Sequence, residues 1–460
     1  MVVSCACQDA GDATRSIALA IALRDNCPPG HSLKIDFISN GSKLEHLISD
    51  AGFQVIPCNP RVKGQSVAHD LGWDFPEFFG SKEIAEGFIH GQLAALEALR
   101  PDVVLHGMWA PASLAARMLG IRTISFLPLP VVPEAFGRGL IRDLPDMMPG
   151  LTRLPRAVRK QLAWWSSGLM LNAPIFHQHR LGAAARACGW GNDGALSLFD
   201  MAAADLNLVN DLPLFHEPYV RGLPANVVLT GPLFAPNRGE ALDPAIVAHL
   251  RRDGRPAVLV TMGSSGTKEM LFEAIRAFAA ADEDDADQAN VVVLASHSVC
   301  ALAEAKAVAG GAARLLVTNQ FIPAPAAHAL ADVVVSHGGQ GTVQTAMMAG
   351  APIVGVALQI EQQTNLDNVM DYGAGLRIQR FNWKGPVIRR AVRKVLAEKS
   401  FKEKARELAS KVAEVDGAKV AGECMWKFIL TGGVEKSGVV YGVSEVRGSD
   451  DDFAMDSKAV

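Results

Sequence analysis

Apolar residues along the chain fall into short continuous runs that alternate with longer amphipathic stretches. In the first half the runs are VVSCACQ at 2–8, LKIDFIS at 33–39, FQVIPC at 53–58, DVVLHG at 102–107 and RTISFLP at 122–128. Segments with helical spacing lie between them, from Ser16, over 43–51, over 84–99 and from Pro111. Runs of this length read as strands buried on both faces, and the alternation predicts a mostly parallel sheet covered by helices. From about 134 to 200 the pattern is lost among prolines, arginines, Trp164 and Trp165, and it resumes at DLNLVN, 205–210, and NVVLTGPLF, 226–234.

A second alternating unit comes next. PAVLVTMG at 256–263 leads through a GSSG turn into KEMLFEAIRAFAA, then NVVVLAS at 290–296, ARLLVTN at 313–319, VVVSHGGQGTVQTAMMAG at 333–350 and PIVGVAL at 352–358. The predicted organisation is an N-terminal Rossmann-like domain at 1–234 with an insert at 134–200, and a linker at 235–244 where proline, glycine and charge cluster. A second Rossmann-like domain spans 245–420. A final helix at 421–432 is expected to cross back to the first domain, and the acidic, apolar-poor 433–460 to be disordered.

Length changes this picture little: 460 residues is about twice the size at which one core stops growing, which fits two domains. A net charge of −4 gives no electrostatic reason to expect nucleic acid. The seven cysteines are scattered without a CxxC pair, so reduced thiols in the cytoplasm fit better than a disulfide framework or a zinc site. No apolar run is long enough to span a bilayer, and SIALAIAL at 16–23 reads as the first helix.

Chemistry concentrates where strand 333–335 meets its helix. Glycines there let backbone approach a ligand, while the new helix offers unpaired N–H groups and a positive dipole end, so an anion such as phosphate is the expected guest. HGGQGT at 337–342, AGAP at 349–352 and EQQTN at 361–365 resemble the donor signature of family 1 nucleotide-sugar glycosyltransferases, in the style of the sterol and antibiotic-tailoring branch. TGPL at 230–233, MGSSG at 262–266 and FIPA at 321–324 keep that family's order. The resemblance implies a GT-B fold, two Rossmann-like domains with parallel sheets facing across a cleft.

It also implies roles. His337, Gly339, Gly341 and Thr342, with Ser264 and Ser265, would hold the diphosphate. Glu361 and Gln362 would hold the sugar, and Phe321 with Ile322 the nucleobase. Asp12, in GDATR, matches the family's GDVxP turn and is the candidate base, with His106 in reserve; Arg15 replaces the proline. In the family's histidine-bearing branch an aspartate orients the base, and the aligned position here is Gly107, so the resemblance implies no such dyad; Thr345 stands where many members have a glutamate for the ribose. Trp109, Phe136, Trp164 and Trp165 are candidate acceptor contacts. Trp164 and Trp165 read equally as an acceptor or membrane-surface helix and as a core helix with snorkelling arginines.

The expected reaction is inverting transfer of a sugar, glucose from UDP-glucose first, to a hydrophobic small molecule such as a polyketide, phenol or sterol. Neither a metal nor a cofactor beyond the UDP-sugar co-substrate is expected. Stable membrane insertion is not expected, and peripheral contact is left open. Two alternatives stand beside it, a sugar-nucleotide 2-epimerase of the same fold and a catalytically silent nucleotide-binding partner of another transferase.

Overall fold

The computed structural model describes residues 1–433 except 6–9, 43, 64–66, 75, 129–131, 133–141, 147–149, 172, 193, 217–222, 235–240 and 280–288. Phe136, most of the expected linker and nearly all of the expected tail therefore lie outside the described residues.

Two parallel sheets organise the chain. The first holds β1 (Val2–Cys5), β2 (Asp36–Ser39), β3 (Gln54–Pro57), β4 (Val103–His106), β5 (Arg122–Leu127), β6 (Leu206–Val209) and β7 (Val227–Leu229), in the order β3-β2-β1-β4-β5-β6-β7. The second holds β8 (Ala257–Thr261), β9 (Asn290–Leu294), β10 (Leu315–Thr318), β11 (Val333–Ser336), β12 (Ile353–Gly355) and β13 (Gly375–Arg377), in the order β10-β9-β8-β11-β12-β13. Every pairing is parallel, so each strand needs a crossover, and the amphipathic stretches supply the helices. In both sheets the strand order reverses between the first strand and the fourth. Open α/β sheets bind ligands at such switch points, beyond the strands' carboxyl ends.

Five helices carry or brace the residues of the cleft: α1 (Ala10–Asp25), α2 (Arg156–Leu171), α3 (Gln340–Met348), α4 (Ile360–Tyr372) and α5 (Gly417–Thr431). Helix α1 begins earlier than the expected Ser16, because Asp12 in its first turn complements the positive end of the helix dipole. Helix α5 returns to the first sheet's domain and lies on α1. Trp426 donates its indole N–H to Leu23 O (2.6 Å), and Met425, Trp426 and Phe428 join the core around β1 and β4. Burial of each of these side chains contributes roughly 1.5–3 kcal/mol to holding the C-terminal segment on the N-terminal domain.

Candidate active site

The second sheet's switch point carries the glycine turns. Thr261 at the end of β8 pairs with Ser336 at the end of β11, so the turn 262–266 and the turn 337–339 emerge side by side. Between them sits His337, 4% exposed. Glycine is required on both flanks: a Cβ at Gly263, whose φ is +56°, would stand 2.5 Å from His337 Cε1, and one at Gly339 would stand 2.6 Å from its Nε2. His337 Nε2 is in hydrogen-bond contact with Ser265 Oγ (3.2 Å), and Nδ1 is buried without a partner. Burial pushes its pKa down to about 4, so the imidazole is neutral at pH 7 and offers a hydrogen bond rather than a charge.

Helix α3 starts at the same place. Its first bond runs from Val343 N to Gly339 O (3.0 Å), so the amides at Gln340, Gly341 and Thr342 have no carbonyl to reach within the helix. That is the anion-binding arrangement anticipated for the diphosphate. Helix α4 braces it: Asn365 Nδ2 donates to Gly338 O (3.0 Å) and to Glu361 Oε1 (2.6 Å). Gln362 is tied at both ends of its amide, accepting from Leu358 N (2.9 Å) and donating to Ser265 Oγ (3.5 Å). Residues 265, 337, 361, 362 and 365 thus form one connected group, with Ser264 and Ser265 exposed on its outer turn.

The expected base-binding pair divides. Phe321 is open to solvent at 73%, whereas the Ile322 side chain is buried in the core beneath, leaving only its backbone to face a base. Thr345 spends its hydroxyl on its own helix, donating to Gly341 O (2.8 Å) and Thr342 O (3.1 Å).

The opposite wall is the first sheet's switch point, between β1 and β4. Asp12 lies there in the first turn of α1, accepting from Cys5 Sγ (3.2 Å). Gly107, directly after β4, is glycine for a reason that the resemblance alone left as a departure. A Cβ there would stand 2.4 Å from Asp12 Oδ1 and 3.0 Å from the Phe126 ring, so the Asp12 carboxylate occupies the space. His106 is fully buried, donates from Nδ1 to Gly107 O (2.8 Å) and has its pKa pushed to about 4 by burial, so it presents no ring nitrogen to the cleft. Trp109, immediately before the helix Ala110–Met118, is a core residue beside Phe79 and Phe88, with ring centroids 6.2 and 5.3 Å away. The two walls meet: Arg15, one turn after Asp12 on α1, donates from Nη1 to Gln340 Oε1 (3.0 Å) at the start of α3.

Comparison with known proteins agrees with this fold. Residues 292–425 match the Erythromycin biosynthesis protein CIII-like, C-terminal domain family. The PGL/p-HBAD biosynthesis rhamnosyltransferase of Mycobacterium bovis is 27% identical over 329 residues, 70% of this chain, which spans 66% of that relative's length. The 4'-demethylrebeccamycin synthase of Lentzea aerocolonigenes is 33% identical over 47% of this chain and 48% of its own. The calicheamicin glycosyltransferase CalG4 has the same fold, with a TM-score of 0.62 and 18% identity over 94% of this chain and 98% of its own. The chain has the GT-B fold, and these likenesses support a family 1 glycosyltransferase.

In this GT-B chain the segment inserted between β5 and β6 does something the sequence pattern did not announce: it docks on the C-terminal domain. Arg377, on β13, donates from Nε to Asp367 (2.8 Å), from Nη1 to Asp146 (2.8 Å) and from Nη2 to Asp143 (2.5 Å). Arg159 of α2 holds Asp143 bidentately at 2.7 and 2.9 Å. Gln363 of α4 accepts from Asp146 N (3.0 Å) and donates to Leu144 O (2.9 Å). Arg156 and Lys160 both pair with Asp371. Helix α2 is therefore anchored beside α4, and it presents Trp164 and Trp165, the latter 77% exposed, to solvent rather than to a core. These charges are scattered over more than half the chain and form no motif, so no local signal could have joined them. Among the described residues no helix is long and apolar enough to cross a membrane.

Proposed function

We propose that the protein is an inverting, metal-independent glycosyltransferase that moves a hexose from a nucleoside diphosphate to a hydrophobic small molecule such as a polyketide, phenol or sterol. One observation carries the reading: the helix bearing Asp12 and the helix opening at the glycine turn meet across the cleft, at the Arg15–Gln340 contact of 3.0 Å. In the reaction Asp12 takes the proton of an acceptor hydroxyl as its oxygen attacks the anomeric carbon. The bond from that carbon to the diphosphate breaks on the opposite face, and the departing diphosphate gathers negative charge against the amides of Gln340, Gly341 and Thr342. Glu361, held by Asn365, accepts from the sugar's hydroxyls.

UDP-glucose is the first donor to test. The engagement of the Thr345 hydroxyl with its own helix favours a second reading of the donor, because no carboxylate stands there for the ribose hydroxyls, so dTDP-sugars belong in the same panel. The relative named as a rhamnosyltransferase supports including rhamnose donors in that panel. The test is mass spectrometry of lipophilic phenols, polyketides and sterols incubated with each donor. A mass gain of one hexose or deoxyhexose on an acceptor supports the reading. Conversion of donor alone to an isomer would indicate the epimerase, and nucleotide binding without transfer to any acceptor would indicate the silent partner.

A further inference from the structure

A leaving diphosphate needs more than dipoles, and the donor turns themselves bring no formal positive charge. Neither 261–267 nor 336–342 contains lysine or arginine. The next residue, Lys268, is turned away into a 2.5 Å ion pair with Glu304. His337 is buried, neutral at pH 7, and keeps Nδ1 without a partner between the two turns. The facing wall has a cation in place to supply that charge. Arg15 is half-buried, its guanidinium carbon lies 5.9 Å from the centre of the Phe126 ring, and its Nη1 reaches the first residue of α3.

Its position is set from both sides. Gln340, which occupies the variable place in HGGQGT, is buried and donates from Nε2 to Asn210 O (3.0 Å), so its Oε1 is aimed at Arg15. A guanidinium has five N–H donors, and this contact uses one. The others remain for an anion held at the start of α3, in the forked geometry that suits phosphate oxygens. Arg15 and Asp12 are three residues apart on α1 and so share a face of it.

We infer that Arg15 is the cation that binds the donor's diphosphate and stabilises it as a leaving group, supplied across the cleft by the acceptor domain and held in register by Gln340. The inference rests on the proposed donor site and extends it. It also gives the helix that carries the base a part in holding the donor, so that donor binding draws Asp12 towards the anomeric carbon.

Calorimetric titration of UDP, dTDP and the parent nucleosides into the full chain tests it. Arg15→Gln should weaken the diphosphate roughly 10- to 100-fold and leave the nucleoside's affinity where it was. Arg15→Lys should recover part of the loss. Wild-type diphosphate affinity in Arg15→Gln overturns the inference. So does an equal loss for nucleoside and diphosphate, which would make Arg15 only a latch between the domains. If the wild-type chain binds neither diphosphate, the donor reading itself fails, and the inference with it.

Discussion

Replacing Arg377 by methionine should cost this protein a large part of its stability, and the cost should depend on pH. The Arg377 side chain is 2% exposed and donates to three carboxylates. Methionine keeps much of the volume and removes the charge. Asp143 retains Arg159, but Asp146 and Asp367 lose their arginine while still buried. Burial already pushes Asp367 up to about 6 and raises Asp146, with Arg377 opposing in both cases, so its removal raises them further. Breaking a buried ion pair from one side typically costs about 3–5 kcal/mol. Protonation limits the loss: keeping one aspartate neutral at pH 7, about three units above its ordinary pKa of ~3.9, costs about 4 kcal/mol at 1.36 kcal/mol per unit. At pH 5 the same step costs only about 1.5 kcal/mol. The folded carboxylates bind protons more tightly than the unfolded ones, so the penalty is smallest below the unfolded pKa and grows as pH rises towards the folded values. Urea unfolding of wild type and Arg377→Met at pH 5 and 7.5 reads this directly. The expected penalty is about 3–5 kcal/mol at pH 7.5, shrinking by at least a third at pH 5, and adding Asp367→Asn should restore part of it. A variant that unfolds with wild-type stability at both pH values would refute the cluster as the anchor of the insert.

The remaining predictions concern the cleft. Asp12→Asn should keep the fold and nucleotide affinity while initial-rate assays show transfer falling by about 10²–10⁴-fold; wild-type turnover would remove Asp12 as the base. Gly107→Ala pushes a methyl onto the Asp12 carboxylate and should lower kcat at least about tenfold with nucleoside diphosphate affinity unchanged, at a stability cost of about 1–3 kcal/mol; an unaffected kcat would mean that the carboxylate's position is immaterial. Because burial holds His337 neutral throughout that range, calorimetric diphosphate affinity should be flat from pH 7 to 8.5. An imidazolium with an ordinary pKa near 6.5 would instead lose about tenfold per pH unit above it, and that slope would sink the neutral assignment.

Patterns that repeat locally settled much of this protein in advance. Valine-rich runs such as 333–335, separated by helical stretches, pointed to parallel strands with crossovers, because strands buried on both faces read as continuous apolar runs rather than as alternating ones. The turn SHGGQGT was legible as a glycine junction for a similar reason, since its adjacent residues share one strand end and one helix start. What depended on distant residues was decided only in three dimensions. The glycine at 107 became intelligible beside Asp12, a neighbour brought close by the β1–β4 pairing. His106, plausible at a strand end, turned into the core, because period-2 alternation does not say which face is solvent, and Trp109, just before the next helix, packs into the core too. Arg377 found Asp143 and Asp146, and Arg15 found Gln340, across separations of more than two hundred residues. Lone charges carry no periodicity, so their partners are set by how the two domains pack and by the need to neutralise whatever that packing buries.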